Sequence, residues 1–110
     1  MIVRSIRFDK AAPLDPGAPT TAHEWFVDRT GALSAGFWAS EPYSAPVRYD
    51  EDEVCVLLEG EVALTDAEGR TETYVAGETF VIPAGFEGTW TSVTAVRKFY
   101  VIHLPKPAAG

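Results

Sequence analysis

The chain has 110 residues and a formal net charge of −7, and it contains one cysteine, Cys55. This length supports one domain, and a single cysteine excludes an intrachain disulfide, so we expect Cys55 to be a buried, inert thiol. The negative charge repels phosphates and anionic lipids, which makes nucleic acid and membrane surfaces poor candidate partners. No apolar run resembles a signal peptide or reaches the length of a membrane span, so we expect a cytoplasmic protein.

Short segments of β-branched and aromatic residues, separated by Gly, Pro and Asp, occur along the whole chain. The predicted strands are residues 1–8, 23–27, 33–39, the apolar run within 49–60, 61–65, 71–75, 79–82 and 93–104. The predicted connections are a loop over 9–21 and turns over 28–31 and 66–69. The two prolines of residues 40–46 require an irregular segment or an edge strand. No segment has a helical period, so the pattern predicts an all-β sandwich or barrel.

One stretch of the second half combines strand and turn signals. In Gly77–Trp90, GETFVIPAGFEGTW, the run TFVI follows a glycine and ends at Pro83, and Gly85 permits a tight turn. Apolar residues between Gly and Pro are typical of a short buried strand that runs into a loop. An ordinary hairpin would have the same composition, so this stretch alone leaves both interpretations open.

A second stretch makes the pattern more specific. Six residues lie between Glu53 and Gly60, and two predicted strands connect Gly60 to Gly77. Together with Gly77, Pro83 and Gly85, these positions resemble the two sequence motifs of the cupin superfamily. The resemblance implies an all-β, single-domain cupin double-stranded β-helix, which is a jelly-roll barrel.

A narrower resemblance is carried by the acidic segment YDEDE before VLLEGEV, and by GTWTSVTAVRKFYVI near the end of the chain. These segments look like those of the (S)-ureidoglycine aminohydrolase cupin domain, a subfamily formerly known as a domain of unknown function (Cupin_3-like). The resemblance covers Leu33 to Leu104. We expect N-terminal strands and a loop (residues 1–32) that pack on the barrel, a cupin domain (residues 33–104) and a flexible tail (residues 105–110).

Cupins that bind a metal usually hold it with two His and the Glu of the first motif and one His of the second. Here the His positions fall on Val47, Tyr49 and Gly88, and Glu53 alone is kept. One carboxylate cannot hold a catalytic metal, so we expect no cofactor, with a divalent metal on other ligands left open. The aminohydrolase activity is therefore not carried over with the resemblance. Two residues outside the motif positions are expected to be structural or exposed: His23 and His103.

Charged residues inside the barrel offer a different chemistry. If Glu53 points inward as the motif Glu does, Glu51 and Tyr49 face the same way in an extended segment. Lys98 would supply the cation that a buried carboxylate needs. The predicted catalytic residues are Glu53, Lys98 and Tyr49, and the predicted ligand-binding residues are Glu51, Trp90, Trp38 and Tyr100. The alternatives are a solvated acidic turn, a surface lysine and aromatic residues that fill the core.

Three functions fit these residues. The first is binding of a small polar metabolite without a His-ligated metal. The second is an enzyme of isomerase, decarboxylase or amidohydrolase type that acts on a nitrogenous or sugar-derived metabolite. The third is a structural dimeric scaffold. A homodimer is expected in each case, because the last predicted strand is apolar on both faces and cupins often exchange strands.

Overall fold

The computed structural model describes residues 5–9 and 19–104, and all the regular secondary structure in these ranges consists of β-strands. The strands are β1 (Thr20–Val27), β2 (Leu33–Ser40), β3 (Tyr43–Arg48), β4 (Asp52–Glu59), β5 (Glu61–Asp66), β6 (Thr71–Val75), β7 (Thr79–Ile82), β8 (Glu87–Ser92) and β9 (Val96–His103). In β4 and β5 every second residue is buried, because successive side chains point to opposite faces of a sheet.

The strands form two antiparallel sheets. One has the order β1-β2-β9-β4-β7 and the other the order β3-β8-β5-β6. Strands that are distant in the sequence become neighbours, as β2 and β9 do, which is the connectivity expected of a jelly roll. The prediction of an all-β, single-domain jelly-roll barrel is confirmed.

The inner faces of the two sheets enclose one hydrophobic core. Its buried residues are Cys55, Leu57, Val62, Leu64, Phe80, Ile82, Trp90 and Val96. The interior becomes more polar where β2 and β9 approach β8. Four polar side chains are buried in the protein: Ser40, Glu53, Ser92 and Lys98. Buried polar groups require partners, so this edge of the sandwich is where a functional site is most readily sought.

The outer face of the five-stranded sheet is also apolar and is partly covered by the N-terminal segment. The ring of Phe8 lies 6.4 Å from that of Phe37 and 5.8 Å from that of Phe99, measured between centroids. It also stacks on Trp25 at 6.1 Å. The last strand is therefore apolar on both faces in the structure, as the sequence predicted.

One turn prediction and one edge-strand prediction are confirmed. The carboxylate of Asp66 accepts the backbone N–H groups of Glu68 and Arg70 at 2.9 and 3.0 Å, which closes the β5–β6 hairpin. Pro46 lies in β3, an edge strand, where a missing N–H costs no ladder hydrogen bond on the open side.

Other predictions are wrong or lie outside the described residues. The loop predicted after Pro83 is present, but residues 87–92 then form β8, a central strand that the sequence did not predict. Residues 5–8 form no strand, while the rest of the strand predicted over 1–8 lies outside the described residues, as does the tail 105–110. The loop predicted over 9–21 ends earlier, because β1 begins at Thr20. Within the described ranges no helix is long and apolar enough to cross a membrane.

Candidate functional site

A cavity of about 270 Å³, which we call the charged cavity, lies between the two sheets. Its aromatic lining is formed by Trp38, Tyr43, Tyr49, Trp90 and Tyr100. The side chains of Glu53 and Lys98 also line it. Apolar walls with a few polar groups are the usual composition of a small-molecule site.

Glu53 and Lys98 form a buried ion pair in this lining. Nζ of Lys98 lies 2.5 Å from Oε2 of Glu53, and each side chain is 7% exposed. Glu53 is on β4 and Lys98 on the adjacent β9, where alternation turns both side chains inward. An isolated buried charge costs several kcal/mol of stability, so each group depends on the other as its ion-pair partner inside the protein.

Two indole rings enclose the ammonium group of Lys98. Nζ lies 4.7 Å from the ring centroid of Trp38 and 4.4 Å from that of Trp90. The two rings meet edge to face at 5.4 Å. Nε1 of Trp90 donates to Oγ of Ser92 at 2.9 Å, which fixes the ring orientation. Desolvated cation–π contacts of this kind stabilise the ammonium by about 2 kcal/mol.

The thiol of Cys55 completes the contacts of the carboxylate. Sγ donates to Oε2 of Glu53 at 3.1 Å and lies 3.9 Å from Nζ of Lys98. Burial raises the pKa of the Cys55 thiol, and the Lys98 charge opposes this effect. The thiol therefore stays protonated and serves as a donor to the ion pair.

The loop that follows β7 holds Tyr49 in the cavity lining. The Tyr49 N–H donates to the carbonyl of Phe86 at 3.0 Å, and its carbonyl accepts the N–H of Gly85 at 2.7 Å. Gly85 has a φ of 96°, which glycine adopts without strain. Burial raises the pKa of the Tyr49 phenol, and the negative charge of Glu53 raises it further. Tyr49 is therefore a neutral hydrogen-bonding group at physiological pH.

Tyr100 and Tyr43 are also neutral phenols in the lining. Burial raises the pKa of each, and nearby carboxylates contribute at Tyr100. Tyr100 stands opposite Gly36, where an added Cβ would lie 2.9 Å from the phenol oxygen. The glycine thus leaves room for the tyrosine hydroxyl.

Comparison with known proteins places this chain in a family. A family model of the EutQ-like cupin domain matches residues 27–100, from the end of β1 into β9. The chain belongs to the EutQ-like cupin family. No curated protein matches it.

Solved structures agree with this cupin assignment. A DUF861-family protein of unknown function from Pseudomonas syringae is 30% identical with a TM-score of 0.75, over 86% of this chain and 46% of that one. The chain thus spans less than half the length of that relative. A DUF861-family protein from Thermotoga maritima is 31% identical with a TM-score of 0.57, over 58% of this chain and 73% of that one.

A putative ethanolamine utilization protein, EutQ, from Salmonella typhimurium is 24% identical with a TM-score of 0.70. The match covers 92% of this chain and 80% of that one. At this identity the likeness shows the fold alone. The cupin resemblance of the sequence is thereby confirmed, whereas these comparisons do not reach the narrower ureidoglycine aminohydrolase subfamily.

The cupin fold brings six of the seven predicted site residues to one cavity. The exception is Glu51, which does not line it. Glu51 lies in a bend before β4, which begins at Asp52, so the alternation that we assumed does not extend to it. Instead, the Asp52 carboxylate accepts the N–H of Ala84 at 2.8 Å and ties the acidic segment to the loop after β7.

Sequence reasoning missed four residues of the lining: Ala22 and Ile102, and in β3 Tyr43 and Val47. Part of β3 falls in residues 40–46, whose two prolines predicted an irregular segment or an edge strand. The alternating burial of β3 depends on its pairing with β8, a strand that the sequence did not reveal. In the sequence, Val47 was noted only because it occupies a position where metal-binding cupins carry a histidine ligand.

The residues at the cupin ligand positions do not fit a metal. Val47 and Gly88 are cross-strand partners without donor side chains, and a Cβ on Gly88 would collide with the backbone oxygen of Thr65. The carboxylate of Glu53 is bound by Lys98 instead. Within residues 5–9 and 19–104, no group of three His, Cys, Asp or Glu side chains could hold a metal ion. Both histidines are exposed: His23 and His103.

Proposed function

We propose that this EutQ-like cupin binds a small, uncharged, polar metabolite in the charged cavity and does so without a His-ligated metal. The observation that carries the proposal is the buried Glu53–Lys98 pair in the lining of a 270 Å³ cavity. The pair is neutral as a unit, so it offers polar anchors without a net charge. A charged ligand would lose its hydration without meeting a compensating charge.

The size and the lining of the cavity narrow the ligand further. Its volume of about 270 Å³ lies just below the usual range of ligand sites, which favours a short metabolite such as a sugar or a ureide. The hydroxyl groups of Tyr43, Tyr49 and Tyr100 can each donate and accept a hydrogen bond. Flat indole faces suit the C–H faces of a sugar or the plane of an amide.

An enzyme is the second candidate. Tyr49 and Glu53 could serve as general acid and base, with Lys98 stabilising a developing negative charge. The proximity of these groups favours proton transfer, as in isomerisation, decarboxylation or an amidohydrolase-type reaction. The structural scaffold is the weakest of the three, because a scaffold has no need for a buried ion pair beside a cavity.

Binding can be measured as a ligand-dependent rise in Tm. Dihydroxyacetone, D-ribose and allantoin serve as uncharged probes, and acetate and phosphate as charged ones. A ligand at ten times its Kd stabilises the fold by about 1.4 kcal/mol, which raises the Tm of a small domain by roughly 5 °C or more. We expect this rise with at least one uncharged probe and none with the anions.

The matched variants are Tyr49→Phe in the charged cavity and Tyr74→Phe in β6, outside its lining. Tyr49→Phe removes one hydrogen bond to the ligand, worth about 1 kcal/mol, and so weakens binding by roughly fivefold. Tyr74→Phe should leave binding unchanged. Stabilisation by acetate or phosphate alone, or equal binding by both variants, would reject the proposed site.

We propose that the ureidoglycine aminohydrolase resemblance reflects a common ancestry of the fold and not a common reaction. The support is chemical, because Val47 and Gly88 supply no metal donors where metal-dependent cupins carry histidine. The ligand need not be a ureidoglycine-like compound, although allantoin tests this class. We further propose a cytoplasmic location, which cell fractionation would test.

We also propose that the protein forms a homodimer through the outer face of the five-stranded sheet. A row of apolar residues, Ala35, Val101, Val54 and Val81, runs across four adjacent strands. Val81 is 57% exposed, so an apolar partner surface would remove it from water. A second copy presents the same row. Light scattering should give twice the chain mass, and a monomer mass would contradict the proposal.

A further inference from the structure

We propose that Lys98 forms an imine with an uncharged hydroxy-ketone or hydroxy-aldehyde in the charged cavity, and that Glu53 carries the protons of this reaction. The inference rests on the ligand-binding function proposed above and specifies the class of its ligand. It starts from one juxtaposition, a buried primary amine in a cavity lining with a carboxylate at 2.5 Å.

The surroundings of Lys98 suit a nucleophile. The residue is 5% exposed, and two indole rings cover its nitrogen, so water has little access to it. An amine attacks a carbonyl only after it has lost a proton, and Glu53 is the base placed to take that proton. Buried lysines in such settings are the ones that serve as Schiff-base nucleophiles.

The reaction balances without an oxidant or a reductant. A proton passes from the Lys98 ammonium to Oε2 of Glu53, which leaves a neutral amine and a neutral carboxylic acid. The nitrogen lone pair forms a bond to the carbonyl carbon, and the carbonyl oxygen takes the proton from Glu53. Glu53 then removes a proton from the nitrogen and gives it to the hydroxyl group, which leaves as water while the C=N bond forms. Ammonium and ketone thus yield iminium and one water.

The product keeps the electrostatic contacts of the free lysine. The iminium carries the same positive charge beside the Glu53 carboxylate and the faces of Trp38 and Trp90. The ion pair is therefore replaced by an equivalent pair rather than broken. Exclusion of water from the nitrogen also slows hydrolysis of the imine.

The remaining lining selects the ligand class. Three tyrosine hydroxyls offer hydrogen bonds to ligand hydroxyl groups: Tyr43, Tyr49 and Tyr100. Burial raises the pKa of each phenol, so all three stay protonated. A carboxylate or phosphate on the ligand would meet Glu53 instead of an unpaired cation. A short, uncharged, hydroxylated carbonyl compound satisfies all of these conditions.

Reductive trapping tests the imine. The chain has three lysines, Lys10, Lys98 and Lys106. The native protein is treated with dihydroxyacetone and cyanoborohydride, which reduces the iminium to a stable amine, and labelled peptides are quantified by mass spectrometry. The same reaction in urea gives the reference reactivity. Because a bound carbonyl has a high effective molarity, we expect the ratio of Lys98 to Lys106 labelling to rise about tenfold or more in the native protein.

If Lys98 has a structural role alone, the ratio of Lys98 to Lys106 labelling should fall in the native protein, because burial protects Lys98 from the reagent. Protection of Lys98 in the native chain therefore overturns the proposal. Glu53→Gln retains the lysine but not the base, and we expect its Lys98 labelling to fall about tenfold or more. Circular dichroism shows whether this variant folds, and Tyr74→Phe should label as the wild type does.

The outcomes separate this inference from the proposed function. Quenching of tryptophan fluorescence by dihydroxyacetone without labelling of Lys98 rejects the imine and leaves the binding site in place. Equal labelling of Lys98 in the wild type and in Glu53→Gln rejects the role of the carboxylate. Failure of all three uncharged probes to raise the Tm rejects the binding function itself.

Discussion

Among the cavities that the described residues line, two of nearly equal size differ in how they hold their charges. The charged cavity has a volume of about 270 Å³, and a second cavity beside β6 and β7, which we call the β6–β7 cavity, has about 290 Å³. The second is lined by Arg70 and Asp66, which pair at 2.9 Å. Arg70 is 76% exposed, whereas the Lys98 side chain is 7% exposed.

The difference shows that volume alone does not mark a site. Water screens and hydrates the guanidinium of Arg70, which also contacts Glu68 at 2.6 Å. Such surface pairs contribute about 0–1 kcal/mol and offer a ligand little that water does not. The Glu53–Lys98 pair has lost its water already, so its polar groups are available to a ligand at no further desolvation cost. The following substitutions compare the two cavities directly.

Removal of the buried cation should have the largest effect. Lys98→Met leaves the Glu53 carboxylate buried without its ion-pair partner, and we expect a loss of about 3–5 kcal/mol in the free energy of unfolding. Urea unfolding followed by circular dichroism measures this loss. The double variant Glu53→Gln, Lys98→Met should be more stable than Lys98→Met alone, because it removes the orphaned charge. A double variant less stable than the single one would contradict this account.

The partners in that pair could be predicted from the sequence because both lie inside regular strands. Once the motif spacing places Glu53 inward on β4, and Lys98 shares a face with Val96 and Tyr100 on β9, alternation aims both side chains into the barrel. Glu51 failed the same argument because a bend precedes Asp52 and the strand begins there. The sequence pattern gives no signal for that boundary.

Contacts between the two sheets could not be predicted from the sequence. The approach of Trp38 to Trp90 depends on β8, whose residues EGTWTS lack an alternating apolar pattern. Gly88 of β8 lies close to the neighbouring strand β5, because an added Cβ would collide with the backbone oxygen of Thr65. The motif glycines and proline were sufficient for the fold, but this packing had to be seen in the structure.

Alkaline pH should also distinguish the two cavities, by a smaller difference in the free energy of unfolding than that expected for Lys98→Met. The pKa of Tyr49 is higher in the folded chain than its ordinary value of 10.0, so the unfolded chain loses this proton first as the pH rises. Stability therefore falls above about pH 10, by at most about 1.4 kcal/mol per pH unit for each such group. The raised pKa of Cys55 has the same sign and acts from its ordinary value of 9.0.

Tyr49→Phe should flatten this fall, when the free energy of unfolding is measured in urea between about pH 8 and pH 11. Tyr74→Phe is the control from the β6–β7 cavity. The pKa of Tyr74 is also raised by burial and by Glu72, but its ring lies nearer to solvent, so we expect less change. Equal flattening by the two variants would place the buried environment of Tyr49 in doubt.

The smallest effect belongs to Arg70→Met, the matched counterpart of Lys98→Met. We expect a loss of at most about 1 kcal/mol, because water hydrates the freed carboxylates of Asp66 and Glu68. The hairpin persists, since Asp66 still accepts the backbone N–H groups of Glu68 and of residue 70. The loss should shrink further at about 1 M salt, where exposed charges are screened, whereas the loss in Lys98→Met should not. Urea unfolding at two salt concentrations measures both differences. If the two variants lost equal stability and responded equally to salt, the contrast between the cavities would have no energetic basis, and the case for a site at Lys98 would fall with it.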